Sequence, residues 1–164
     1  MSFIAHLPRL PLAPDDGAPF PFVRDLPLKR HAELSACASR YPIFNFLGMQ
    51  IEALEEDFCR IGLTHRLDLT NPMGGLHGGI IAAMLDSAVG LSMVATLKEG
   101  FSLATISLDV KFLRPFIEGH ALAEARVRRK GRTVLFADTL LTDGGGETYA
   151  TGTCVYMPIP IKQE

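Results

Sequence analysis

Between Ile80 and Leu97 every residue is apolar or small except Asp86, Ser87, Ser92 and Thr96. Such a run must be buried, either in a bilayer or inside protein. Its length is borderline for a membrane span, and a carboxylate near its middle would be expensive in lipid. The expectation is a helix enclosed by protein, from about His77 to Leu97, with Gly100 marking its exit.

The flanking residues supply the enclosure. After Gly48 the pattern has period two: Ile51 and Leu54 flank charged residues, and Cys59, Ile61, Leu63, His65 and Leu67 alternate with polar or small ones. Two short strands meeting near Glu56-Asp57 fit this. Beyond the helix, Thr105, Ser107, Asp109 and Lys111 alternate with Ile106, Leu108, Val110 and Phe112, and apolar segments run through 120–128, 133–142 and 147–157. Pro115, Lys130-Gly131 and the Gly144 triplet are the breaks. The order ββαββββ, with turns too short for parallel crossovers, predicts an α+β domain in which an antiparallel sheet wraps around one long central apolar helix.

The whole chain has 164 residues, a formal net charge of −2 and 48% hydrophobic residues, the size of one ordinary domain with apolar surface enough for a core. Near neutrality gives no general electrostatic reason to bind nucleic acid or a membrane. Cys37, Cys59 and Cys154 stand far apart without a CxxC pair, which predicts a reducing, cytoplasmic compartment. The five histidines show no ligand spacing, so no metal is expected. Prolines interrupt Met1 to Val23, and no secretion-signal pattern is present. Residues 1–40 are expected to form an arm with a short helix from Leu28 to Arg40, limited by Pro42; residues 41–164 form the folded domain.

Chemistry concentrates in Asn71-Pro72-Met73-Gly74-Gly75-Leu76-His77-Gly78-Gly79 and in Asp86. Helix starts leave amide N–H groups unpaired and positively polarised, and glycines let a ligand approach them. A carbonyl becoming tetrahedral is stabilised there by about 3 kcal/mol per well-aimed donor. Asp86 is the only charged residue in the apolar helix, suited to act as general base or nucleophile. Eight residues of helix separate it from Gly78 by about 12 Å, too far for both to touch one reacting carbon. If two such helices pack antiparallel about a two-fold axis, Gly78 of one lies beside Asp86 of the other and two sites form. His77 and Asp86 of one chain are likewise too far apart for a dyad, and no G-x-S-x-G elbow is present.

The sequence resembles the PaaI-like branch of the hotdog-fold thioesterases, whose motif is close to N-x-x-G-x-x-HGG with an acidic residue nine positions after the histidine. Asn71, Gly74, His77, Gly78, Gly79 and Asp86 occupy those places. The resemblance continues through Thr105-Ile106-Ser107-Leu108-Asp109, Phe112-Leu113-Arg114-Pro115 and Lys130-Gly131-Arg132-Thr133, covering roughly Phe44 to Tyr156. It implies a hotdog homodimer, usually paired into a homotetramer, that hydrolyses an acyl-CoA at the subunit interface. In that arrangement the Gly78 amide, helped by Asn71, polarises the carbonyl, while Asp86 of the partner activates water or attacks directly. Thr105 helps to hold the water, and His77 and Gly79 shape the loop against the substrate. No cofactor is implied, since coenzyme A arrives with the substrate; the branch favours an aryl or short- to medium-chain acyl group.

The basic cluster Arg126, Arg128, Arg129, Lys130 and Arg132 flanks a hairpin turn and suits the phosphates of coenzyme A; Lys130 and Arg132 are substrate-binding candidates, and the sequence does not single out which of the five makes contact. A hydratase or dehydratase on the same fold is an alternative, although those enzymes pair a histidine with an acid at a different spacing. A non-catalytic acyl-CoA-binding protein is another, although it would have no need of Asp86.

Overall fold

The structure, a computed structural model, describes residues 41–94, 97 and 100–160. The expected arm and its short helix, residues 1–40, lie outside the described residues. The first described element is α1, Pro42–Leu47, with Pro42 in the first turn and Gly48 closing it at φ +75°. Pro42 thus opens a helix here: the first turn has no use for the N–H that proline lacks, and the fixed φ of proline already suits it. Phe44 and Leu47 are buried beneath α1.

Six strands follow the expected order around one helix: β1 Gln50–Glu55, β2 Phe58–Thr64, α2 Gly78–Val94, β3 Phe101–Phe112, β4 His120–Lys130, β5 Leu135–Thr142 and β6 Thr148–Pro160. All pairings are antiparallel, in the sheet order β1-β2-β4-β5-β6-β3. The predicted α+β hotdog architecture is the one adopted. Two boundaries differ from expectation. β2 stops at Thr64, and Leu67 is 84% exposed in a 3-10 turn at Leu67–Leu69, because the chain must leave the sheet to reach the helix. His77 precedes α2, and Leu97 is not helical, with its N–H on the Val94 carbonyl at 3.2 Å.

Alternation decides which face of the sheet meets α2. Cys59, Ile61 and Leu63 on β2, Ala121, Ala123 and Ala125 on β4, Leu135, Ala137 and Leu141 on β5, and Ala150, Cys154 and Tyr156 on β6 are all buried. The alanines of β4 leave room for Ile81, Met84, Leu85, Val89 and Met93 of α2, large against small as close packing requires. Each such side chain contributes roughly 1.5–3 kcal/mol by leaving water. β3 is an edge strand that pairs only with β6 among the described residues, with Ile106 displaced at a register shift between Thr105 and Ser107.

Candidate active site

The loop before α2 is fixed largely by backbone hydrogen bonds. Asn71 N–H donates to the Gly75 carbonyl at 2.8 Å and Gly74 N–H to the Asn71 carbonyl at 3.0 Å, with Gly74 at φ +84°. Leu76 N–H reaches Phe116 O at 2.8 Å, and His77 N–H reaches Leu69 O at 2.9 Å. The Asn71 Oδ1 accepts the Met73 N–H at 2.9 Å, an Asx turn that occupies its oxygen. Its Nδ2 has no acceptor among the described residues.

His77 is the N-cap of α2. Its carbonyl accepts the N–H groups of Ile80 and Ile81 at 2.8 and 3.1 Å, and its Nδ1 accepts that of Gly79 at 3.0 Å. A helix start leaves its first four amides without intrahelical partners. Here the remaining one, Gly78 N–H, has no acceptor among the described residues. A Cβ on Gly79 would stand 3.1 Å from His77 Nδ1, so glycine preserves the cap. A Cβ on Gly78 would stand 3.4 Å from the Phe112 ring of β3, in ordinary contact. Gly78 therefore faces the exposed end of the edge strand, where Phe112 is 55% accessible.

Asp86 lies more than two turns along α2, half-buried. The Tyr156 hydroxyl, from β6, is 2.5 Å from its Oδ1 and 2.9 Å from its backbone carbonyl oxygen. The Thr105 hydroxyl, from β3, donates to the same Oδ1 at 3.2 Å. Oδ2 accepts no hydrogen bond among the described residues and is not sealed from solvent. Burial first, and then the hydrogen bond to Asp86, push the Tyr156 phenol well above its ordinary value, so it stays a proton donor. The fold brings Thr105 to Asp86 and His77 to Gly79 beside Gly78, while Asn71 is tied to Met73, Gly74 and Gly75 in the loop before them; within one chain Asp86 and the Gly78 amide are not brought together. Tyr156 was missed from the sequence, although it falls in the inward-facing row of β6 with Ala150, Gly152 and Cys154.

The basic hairpin stands at the Asp86 end of the sheet, since Tyr156 pairs with Leu135 and Leu135 with Lys130. Its cations are unequally free. Lys130 Nζ is 2.7 Å from Asp57 Oδ1, a buried oxygen otherwise without a partner, and Arg128 pairs with Asp138 at 2.7 Å. Arg126 lies over the Phe58 ring at 4.4 Å. Arg132 is exposed and has no ion pair among the described residues. No group of three His, Cys, Asp or Glu side chains among the described residues could hold a metal ion, and no helix among them is long and apolar enough to cross a membrane.

A helix clasped by a curved antiparallel sheet, with a glycine loop leading into its N-terminus, is the frame of the hotdog thioester hydrolases. The family model described as the thioesterase superfamily matches residues 73–150. The Saccharolobus solfataricus protein named "Putative esterase SSO1253" is 32% identical over 124 residues, covering 76% of this chain and 82% of that protein. The medium/long-chain acyl-CoA thioesterase YigI of Escherichia coli is 29% identical over 131 residues, covering 71% of this chain and 84% of its own. The crystal structure of a thioesterase family protein from Silicibacter pomeroyi superposes with a TM-score of 0.72 at 29% identity, covering 79% of this chain and 98% of that one. The chain belongs to the thioesterase superfamily.

Proposed function

We propose that this protein hydrolyses acyl-CoA thioesters carrying an aryl or short- to medium-chain acyl group. It would do so in the cytoplasm, as a homodimer that pairs into a homotetramer. The observation that carries the reading is the distribution of groups along α2: an unpaired amide at Gly78 and, about 12 Å on, a carboxylate with one oxygen held and the other open. Two copies joined along the open β3 edge, with their α2 helices antiparallel, bring Gly78 of one subunit to Asp86 of the other. Exposed Ile106 and Phe112 on β3 favour that face.

In such a site the Gly78 N–H, helped by Asn71 Nδ2, donates to the thioester oxygen as negative charge develops on it. The partner's carboxylate removes a proton from water as its oxygen bonds to the acyl carbon. The tetrahedral adduct then expels the thiolate, which takes up that proton, leaving a carboxylic acid and coenzyme A. Direct attack by the carboxylate, with hydrolysis of the resulting anhydride, has the same balance. Neither route calls for a metal or redox cofactor. Thr105, its proton donated to Asp86 Oδ1, would hold the water through its oxygen lone pairs, and His77 and Gly79 would keep the loop in shape. Arg132, which like Arg129 is exposed and has no ion pair among the described residues, is offered to the coenzyme A phosphates, whereas Lys130 is committed to Asp57. The name carried by YigI, a medium/long-chain acyl-CoA thioesterase, supports the acyl-CoA class and favours the longer end of the proposed chain lengths.

The test is thiol release from a panel of aryl, short- and medium-chain acyl-CoA thioesters, with wild type and Asp86→Ala compared after both are found to form the same oligomer. Turnover of at least one thioester, with a loss of about a hundredfold in the variant, supports the reading and names the acyl class. A wild type that binds acyl-CoA without hydrolysing it replaces hydrolysis by acyl-CoA binding. A fully active variant removes Asp86 from the mechanism.

A further inference from the structure

We infer that Tyr156 is the positioning residue of the catalytic carboxylate: with Thr105 it holds Asp86 Oδ1 and so assigns the reacting role to Oδ2. This rests on the reading in which Asp86 is that carboxylate.

Three observations converge on it. One phenol oxygen reaches both the Oδ1 and the backbone carbonyl of the same residue, at 2.5 and 2.9 Å, so it senses where the side chain stands relative to its own helix. The Thr105 hydroxyl arrives at Oδ1 from a different strand, at 3.2 Å. Two donors on one oxygen, against none on the other among the described residues, stop the carboxylate from rotating and turn Oδ2 toward solvent. Tyr156 is itself 4% exposed, anchored in β6 between β3 and β5, and cannot swing away. It does not reach the substrate; it acts through Asp86.

A carboxylate released from its donor is free to rotate, and Oδ2 then spends less time in the reacting direction. The two titratable groups that β6 offers to Asp86 stay protonated across a neutral assay. Cys154 is pushed up to about 12, by burial first and by the charge of Asp86 second, and Tyr156 is raised by burial and its hydrogen bond to Asp86. From β3 comes Thr105, which does not titrate.

The experiment compares Tyr156→Phe with wild type and Asp86→Ala on the thioester that wild type hydrolyses best, recording kcat and KM separately on protein of the same oligomeric state. The expected result is a fall in kcat of about tenfold or more with KM within about twofold. A kcat within about threefold, or a KM that rises as much as kcat falls, overturns the positioning role even where Asp86→Ala is inactive; an active Asp86→Ala instead overturns the reading beneath it. Should Tyr156→Phe fail to fold, 4-methylphenylalanine placed at position 156 keeps the shape and removes the donor. The kcat must then fall about tenfold with KM held, and a kcat within about threefold overturns the inference.

Discussion

His77 Nδ1 accepts the amide of Gly79 at 3.0 Å, and with the Gly79 donor so occupied the neighbouring Gly78 amide is the one left free. The histidine is a helix cap in this geometry. His77→Ala should cost about 1 kcal/mol of stability, as loss of a cap does, and His77→Asn should recover most of it. Denaturant midpoints of the three proteins check this. Unchanged stability with kcat reduced about a thousandfold would instead make His77 a proton-transfer group.

Gly78→Pro separates the amide from the fold. Proline is favoured in the first helical position, and the N–H it removes has no intramolecular acceptor to lose. The variant should keep its oligomer and melting temperature while kcat falls by about a hundredfold, the usual effect of removing one oxyanion donor. Steady-state kinetics beside thermal melts would show it; retained kcat would place the oxyanion elsewhere.

Arg132→Ala should raise KM for an acyl-CoA by about three- to tenfold with kcat unchanged, and should leave the matching acyl-pantetheine thioester unaffected. The comparison works because pantetheine lacks the nucleotide phosphates. Lys130→Ala, by contrast, breaks an ion pair with the β1–β2 turn. Its effect should appear in stability, and equal KM losses for the two variants would contradict the assignment.

Alkali should weaken the fold. Burial pushes the Cys59 and Cys154 thiols from 9.0 to about 12, with the charges of Asp86 and Asp138 adding to the shift at Cys154. The native state then holds these protons more tightly than the unfolded chain. The stability they contribute is complete below pH 9 and is lost as pH rises from there toward 12. Denaturation midpoints at pH 8, 9.5 and about 11 should fall in that order. Iodoacetamide at pH 8 should leave both residues unlabelled in the native protein and label them in denaturant; rapid native labelling would contradict their burial.

The parts of this account legible in the sequence are those carried by local pattern. The inward rows of β2, β4 and β6 follow from alternation, and α2 from its apolar run. The cap at His77 follows from the glycines behind it only once the loop geometry is known. The Pro42 helix is hidden in the sequence because proline both ends and begins helices, and nothing local says which it does at Pro42. Tyr156 was hidden for a different reason. Its partner is 70 residues away, and nothing but the β3-β6 and β5-β6 pairings places its hydroxyl on Asp86. Its position among the inward residues of β6 was readable, and a tyrosine hydroxyl facing a helix that carries one carboxylate is the signal that could have found it.

The claim that a site is shared between subunits is tested most directly by mixing two inactive variants. Asp86→Ala keeps its Gly78 amide, and Gly78→Pro keeps its carboxylate. After subunit exchange about half of the dimers carry one of each, and one of the two sites in such a dimer has both groups intact. The account predicts that thioesterase activity returns to roughly a quarter of wild type. Activity that stays at the level of the separate variants, with exchange verified by mass spectrometry, would place Gly78 and Asp86 of the same chain in one site and contradict it.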